Sequence, residues 1–168
     1  VSGDIRVGKT SVLTASLDEL RAIRGSEIGF RSVAVRRLQS TVALWYLSFD
    51  SELIFVGDAG VAEASRPSQR YGVEWTNYLN LTDWLTGELD MSFSDARFSD
   101  FNVVGSYIPG SLDRVIAAGL TVSQDQCVFG SLRLRHFGSR PLIEDYSVKS
   151  EPTTILNGEV GVRLNEKL

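Results

Sequence analysis

The first residues whose types and spacing could do chemistry lie at the start of the chain. Gly3-Asp4-Ile5-Arg6-Val7-Gly8-Lys9-Thr10 matches GxxxxGK[ST]. At that spacing backbone N–H groups cradle phosphates, the lysine neutralises them and the hydroxyl binds Mg²⁺. Ser16-Leu17-Asp18-Glu19 would cap a short helix running to Ile23. The motif needs a hydrophobic strand in front, and only Val1 and Ser2 stand there. Asp50, after Leu47-Ser48-Phe49, would have to serve as the metal-binding carboxylate. The alternation of strands with long helices that a nucleotide-binding fold requires is absent downstream. The competing reading is a chance match inside an irregular segment, residues 1–25, with a short helix at most.

Other catalytic chemistry finds little to build on. His136 is the single histidine, flanked by arginines near the end of an alternating run, and reads as a rim residue rather than a general base. Cys127 is the single cysteine and falls in a turn, so intrachain disulfides and Cys-rich zinc sites are excluded. No GxSxG nucleophile elbow occurs. The expectation is no enzyme, no metal site and no cofactor. A net charge of −4 argues against a nucleic-acid partner, and the excess of Arg over Lys, 14 to 3, does not identify one.

The remaining charged residues point to the elements that carry them. In Trp84 to Arg97, Leu85, Gly87, Leu89, Met91 and Phe93 fall on one face, and Thr86, Glu88, Asp90, Ser92 and Ser94 on the other. That is strand periodicity with one apolar and one wet face. It runs for about ten residues, where a soluble strand needs about five or six and a tilted bilayer-crossing strand about 9–11. The same alternation recurs at 27–35, 41–55, 70–79, 114–123, 128–137 and 154–164, making about seven long strands. In 41–55 Ala43, Trp45, Leu47 and Phe49 read as the apolar face, broken at Ser51. No run reaches eighteen apolar residues, so no transmembrane helix is expected.

Short turns at 36–40, 80–83 and 123–127 alternate with longer loops at 56–69, 98–113 and 138–153. Outer-membrane barrels have this asymmetry of turns and loops. The fold class expected is all-β, an antiparallel up-and-down transmembrane β-barrel segment, with the barrel incomplete. A soluble β-sheet binding module, adhesin-like, is the alternative; it would bury Leu89, Met91 and Phe93 against protein and leave Glu88 and Asp90 in bulk solvent. A P-loop nucleotide-binding protein is the third reading.

Several stretches resemble the barrel of TonB-dependent outer-membrane receptors. They are Glu27-Ile28-Gly29-Phe30-Arg31, Phe55-Val56-Gly57-Asp58, Ser65 to Glu74, Asp95-Ala96-Arg97-Phe98, Ile108-Pro109-Gly110 and Leu132 to Leu142. The resemblance covers about residues 26–164, so residues 26–168 read as a partial receptor barrel and 1–25 match poorly. It implies a C-terminal part of a barrel of about 22 strands, in a Gram-negative outer membrane. It further implies active transport, with TonB acting through a plug domain outside these residues. The ligand implied most often is an iron–siderophore complex, with vitamin B12, other metals or glycans as alternatives. Specificity would lie in the three longer loops.

Within that frame Glu74, Glu88, Asp90, Arg133 and Arg135 are candidate lumen-facing residues. They could meet the plug or a passing ligand, or be a solvated wall whose cross-strand charge pairs contribute roughly 0.2–1 kcal/mol each. Trp45, Trp75 and Trp84 are candidate interfacial aromatics, where amphipathic rings sit at the bilayer boundary. No ligand-binding residue is assigned.

Overall fold

Alternation at period two becomes a long antiparallel meander. The computed structural model describes residues 23–33, 36–51, 53–56, 61–64, 66–100, 104–124 and 128–162. Their strands are β1 (Ile23–Ser32), β2 (Leu38–Phe49), β3 (Leu53–Val56), β4 (Val61–Ala64), β5 (Ser68–Asn80), β6 (Leu85–Phe98), β7 (Arg114–Gln124), β8 (Val128–Phe137) and β9 (Thr153–Val162). Seven form one sheet in the order β1-β2-β5-β6-β7-β8-β9, every neighbour antiparallel. β3 and β4 pair with each other as a separate hairpin.

Several boundaries differ from the sequence expectation, beginning with Leu38, Gln39 and Ser40, which fall in the turn expected at 36–40 and open β2. The run expected over 41–55 ends at Phe49, and Leu53–Val56 leave for the second sheet. Asp50 and Ser51 separate the two; such short polar side chains compete for backbone hydrogen bonds and favour bends over ladders. The loop expected over 56–69 contains β4 and gives way to β5 at Ser68. β1 begins at Ile23, so Ile23, Arg24 and Gly25 continue the ladder opposite Phe49, Ser48 and Leu47. The GxxxxGKT stretch, residues 16–22 of the helix expected through Ile23, Cys127 and the turn expected at 165–168 lie outside the described residues, while Ile23 itself is strand.

Register fixes the two faces, because residues directly opposite in an antiparallel pair share a face. From Leu89 the row runs through Asn77 and Ser40 on one side and Ala118, Leu134 and Leu156 on the other. Rows above and below carry Phe30, Val42, Trp75, Met91 and Ile116, then Leu38, Leu79, Gly87, Leu120 and Leu132. This face is predominantly apolar across the seven strands, interrupted by Ser40, Asn77, His136 and Thr154, and nothing among the described residues covers it: Ile28, Leu44, Leu89, Phe93, Leu132 and Leu156 are all exposed. Leu89 and Phe93 are 38% and 43% exposed, where a soluble sandwich would bury them.

The opposite face carries Glu27, Arg31, Glu74, Thr76, Glu88, Asp90, Ser92, Thr121, Ser131, Arg133, Arg135, Asn157 and Glu159. Aromatic rings on this face lie across glycines of the neighbouring strand. Trp45 sits over Gly72, where an added Cβ would stand 2.6 Å from its ring, and Phe129 sits over Gly161. The bare glycine backbone is thereby shielded by the ring.

The two ends of the sheet are unlike. At one end the turns are tight. Arg37 adopts φ 74° between β1 and β2, and its guanidinium reaches Leu81 O at 3.3 Å and Asp83 Oδ1 at 2.9 Å in the next turn. Thr82 Oγ1 accepts from the Leu85 N–H at 3.0 Å. At the other end the connections are long and packed. The fully buried side chains of the described molecule, Ile108 and Ser68, are found there, with Phe98 nearly so.

Candidate functional site

Two places gather chemically capable side chains. The first is on the polar face, mid-sheet. Glu88 of β6 stands opposite Gly119 of β7, which stands opposite Arg133 of β8. One row on, Asp90 stands opposite Ala117, and Ala117 opposite Arg135. Two carboxylates thus face two guanidinium groups across a strand of small residues. A Cβ added at Gly119 would lie 3.4 Å from Glu88 Oε2 and 3.8 Å from Arg133 Cγ, so both chains lean over that glycine. Together they line a shallow groove of about 140 Å³. Glu74 shares the face but not the groove; its row holds Ala43, Ser92 and Val115. Two acids and two guanidinium groups balance here, so these four side chains carry no net charge.

The tryptophans separate. Trp75 is on the apolar face, its indole N–H donating to Ser40 Oγ at 2.8 Å, and Ser40 Oγ bonds Asn77 Oδ1 at 2.8 Å. Trp84 is exposed at the tight-turn end, next to β6. Trp45 does not join them. Its register opposite Gly72 and Glu27 puts it on the polar face, so the apolar face of β2 is Val42, Leu44 and Tyr46 instead of Ala43, Trp45, Leu47 and Phe49. β2 has hydrophobic residues on both sides, and only its neighbours decide which side faces outward. The Trp45 indole nitrogen is buried without a hydrogen-bond partner among the described residues.

The second place is the long-loop end, which sequence reasoning located but did not resolve into residues. Arg66, just before β5, reaches Asp100 Oδ1 at 3.1 Å, Glu144 Oε2 at 2.6 Å and Gly105 O at 3.1 Å. Its guanidinium lies 4.0 Å from the Phe98 ring centroid. On the other side of β6, Arg97 pairs with Asp95 at 3.0 Å and lies 3.5 Å over the Tyr107 ring. Tyr107 stacks on Tyr146 at 4.3 Å, and Lys149 caps Tyr146 at 4.6 Å.

Backbone bonds complete this rim. The N–H groups of Ser99, Tyr107 and Gly110 donate to Pro67 O, Glu144 O and Pro141 O. Pro109-Gly110, the turn signal of the sequence, forms a turn closed by the Ser111 N–H to Ile108 O at 3.2 Å, with Gly110 at φ 81° as the third turn position demands. Asp145 is held below the usual carboxylate range because the Ser147 N–H donates to its Oδ1 at 2.9 Å.

His136 bonds Thr154 Oγ1 at 2.9 Å through Nδ1, on the apolar face near the long-loop end. Among the described residues no cluster of His, Cys, Asp and Glu is arranged to hold a metal, and no helix is long and apolar enough to cross a membrane.

An open section of an up-and-down β-barrel, apolar on one face and polar on the other, is the class this geometry defines. Comparison with solved structures gives the kind of barrel. The chain superimposes on the ferric-catecholate import receptor Fiu of Escherichia coli K12 in its closed form, with TM-score 0.66, 19% identity and 94% of this chain covered. It also superimposes on a point mutant of the ferric enterobactin receptor PfeA of Pseudomonas aeruginosa, with TM-score 0.62, 13% identity and 87% covered. In each case it spans 24% of the other chain, about a quarter of its length. The fold is that of a section of a TonB-dependent siderophore-receptor barrel. Neither protein-family models nor curated protein sequences match this chain.

Proposed function

We propose that this chain is a section of the barrel wall of an outer-membrane receptor that imports an iron–siderophore complex. In this reading the apolar face meets lipid, and Glu74, Glu88, Asp90, Arg133 and Arg135 face the lumen. The long-loop end faces outward from the cell, and TonB supplies energy through a plug domain elsewhere in the protein. Trp75 and Trp84 stand near the bilayer boundary; Trp45 belongs to the lumen wall. The section has no catalytic role.

One observation carries the reading: a predominantly apolar face, exposed across seven neighbouring strands, backed by a face that carries most of the charged side chains of the sheet. Strands of 10 to 14 residues are long enough to cross a hydrocarbon core at a tilt. The likeness to two iron-complex receptors supports the ligand class.

Spin labels placed singly at Leu89, Leu134, Glu88 and Arg133 in the membrane-reconstituted protein test the wall. The expected result is high oxygen and low aqueous-relaxant accessibility at the two leucines, and the reverse at the two charged positions. Equal aqueous access on both faces would leave the soluble binding module as the better reading. Growth of a deletion strain on ferric enterobactin as sole iron source tests the ligand class. Undiminished growth would remove that complex as the cargo.

A further inference from the structure

We infer that Arg66 is a positioning residue that fastens the long connections of the rim into one unit. The clamp rests on geometry; its meaning for ligand capture rests on the receptor reading above.

Arg66 ends the β2–β5 connection, Asp100 and Gly105 belong to the β6–β7 connection, and Glu144 to the β8–β9 connection. One guanidinium therefore spans three connections that are 34 to 78 residues apart in sequence. It is well placed to hold them: its side chain is 22% exposed, its acids 34% and 31%, and the Phe98 ring backs it. A planar fork with five donors can serve two carboxylates and a carbonyl at once, which an ammonium on a flexible stem cannot do with the same geometry.

The backbone is shaped for the contact. Gly105 sits at φ 141° with its Cα so close to Glu144 that any Cβ would collide with the Glu144 carbonyl. The Glu144 residue thus takes part twice, through its carboxylate to Arg66 and through its carbonyl to the Tyr107 N–H at 3.0 Å. Phe98, under Arg66, and Arg97, under Tyr107, lie on opposite faces of β6. The rim is accordingly gripped from both sides, by ion pairs on one and by the Arg97–Tyr107–Tyr146–Lys149 column on the other. Such a rim meets its ligand preorganised, with the cost of ordering the connections already met in the free protein.

The test is hydrogen exchange in the whole protein as its gene encodes it, in detergent micelles. The Ser99 amide reports the β5–β6 side of the clamp and the Tyr107 amide the β6–β8 side; the Leu142 amide, bonded to Val148 O within one connection, is the control. In Arg66→Gln, Ser99 and Tyr107 are expected to exchange at least tenfold faster together, with Leu142 unchanged. Arg66→Lys should fall between, because one ammonium replaces one arm of the fork. Unchanged exchange, or acceleration of one amide alone, would overturn the clamp. If Arg66→Gln does not accumulate folded, Glu144→Gln and Asp100→Asn remove the arms one at a time and must each accelerate at least the amide on its side.

Ferric enterobactin binding is measured on the same samples. A tenfold loss of affinity in Arg66→Gln at an unchanged melting temperature supports positioning of the ligand surface. Coupled exchange with no binding even by the parent upholds the clamp and counts against the ligand class alone.

Discussion

The glycines make the sharpest statement at the scale of single residues. Gly72 has no room for a side chain: an added Cβ would stand 2.6 Å from Phe93 O and 2.6 Å from the Trp45 ring. Gly87 has ordinary contacts only, the nearest being Leu81 Cδ1 at 3.6 Å. Gly72→Ala should therefore destabilise by roughly 1–3 kcal/mol, as overpacking does. Gly87→Ala should stabilise by about 0.4–1 kcal/mol by restricting the unfolded chain. Urea unfolding of both variants from lipid vesicles checks the pair of signs. Asp145 supplies a pH expectation. Its carboxyl is held below the usual value of 3.8 by the bond from Ser147. The turn it stabilises should stay formed as the pH falls through that value and open only in stronger acid. The Ser147 amide shift in a pH titration reads this directly; a midpoint at or above 3.8 would contradict it.

The two faces make their demands at the scale of the element. Leu134 is on the apolar face of β8, and Ser131, three residues earlier on the same strand, is on the polar one. Leu134→Arg should cost about 2–4 kcal/mol in a bilayer, and Ser131→Arg less than about 0.5 kcal/mol. Similar costs for the two, measured by unfolding from vesicles, would contradict a lipid-facing surface. The strands themselves were legible because alternation leaves a local trace in every one, and β8 over Val128–Phe137 matches the expectation residue for residue. The face of β2 was not legible, since Val42, Leu44 and Tyr46 compete with Trp45, Leu47 and Phe49 in one strand. Pairing with β1 and β5 settles it, and pairing is non-local. The Arg66 hub left no trace for the same reason: its partners are 34, 39 and 78 residues away. The groove of Glu88, Asp90, Arg133 and Arg135 lies between. Alternation put all four on a wet face, but only register sets them in two rows across Ala117 and Gly119.

At the scale of the whole molecule the outer edges of β1 and β9 decide what this section can do alone. No strand among the described residues pairs with either. In hydrocarbon each unsatisfied backbone group costs several kcal/mol, so the seven-stranded sheet cannot stand as a membrane wall by itself. Residues 23–162, excised and refolded into vesicles, should give no heat-resistant compact form on gel electrophoresis, whereas the same residues within a closed barrel should. A heat-resistant band from the excised section would mean that its edges pair with each other or with a second copy.

In the proposed reading as a membrane wall, the hydrogen-bonded cluster of Ser40, Asn77 and Trp75 has a consequence for the lipid beside it. On β2 the outward residues are Leu38, Ser40, Val42, Leu44 and Tyr46, so Ser40 interrupts them, while on β6 Leu85, Gly87, Leu89, Met91 and Phe93 run without a polar side chain. The belt is therefore notched by Ser40 and Asn77 beside β2 and β5 and resumes at Leu38 and Leu79, whereas beside β6 it has no such notch. In the receptor reading, lipid chains beside β2 and β5 would meet hydroxyl, amide and indole groups already bonded to one another and to Leu89 O, so the notch would add no unpaired donor to the hydrocarbon.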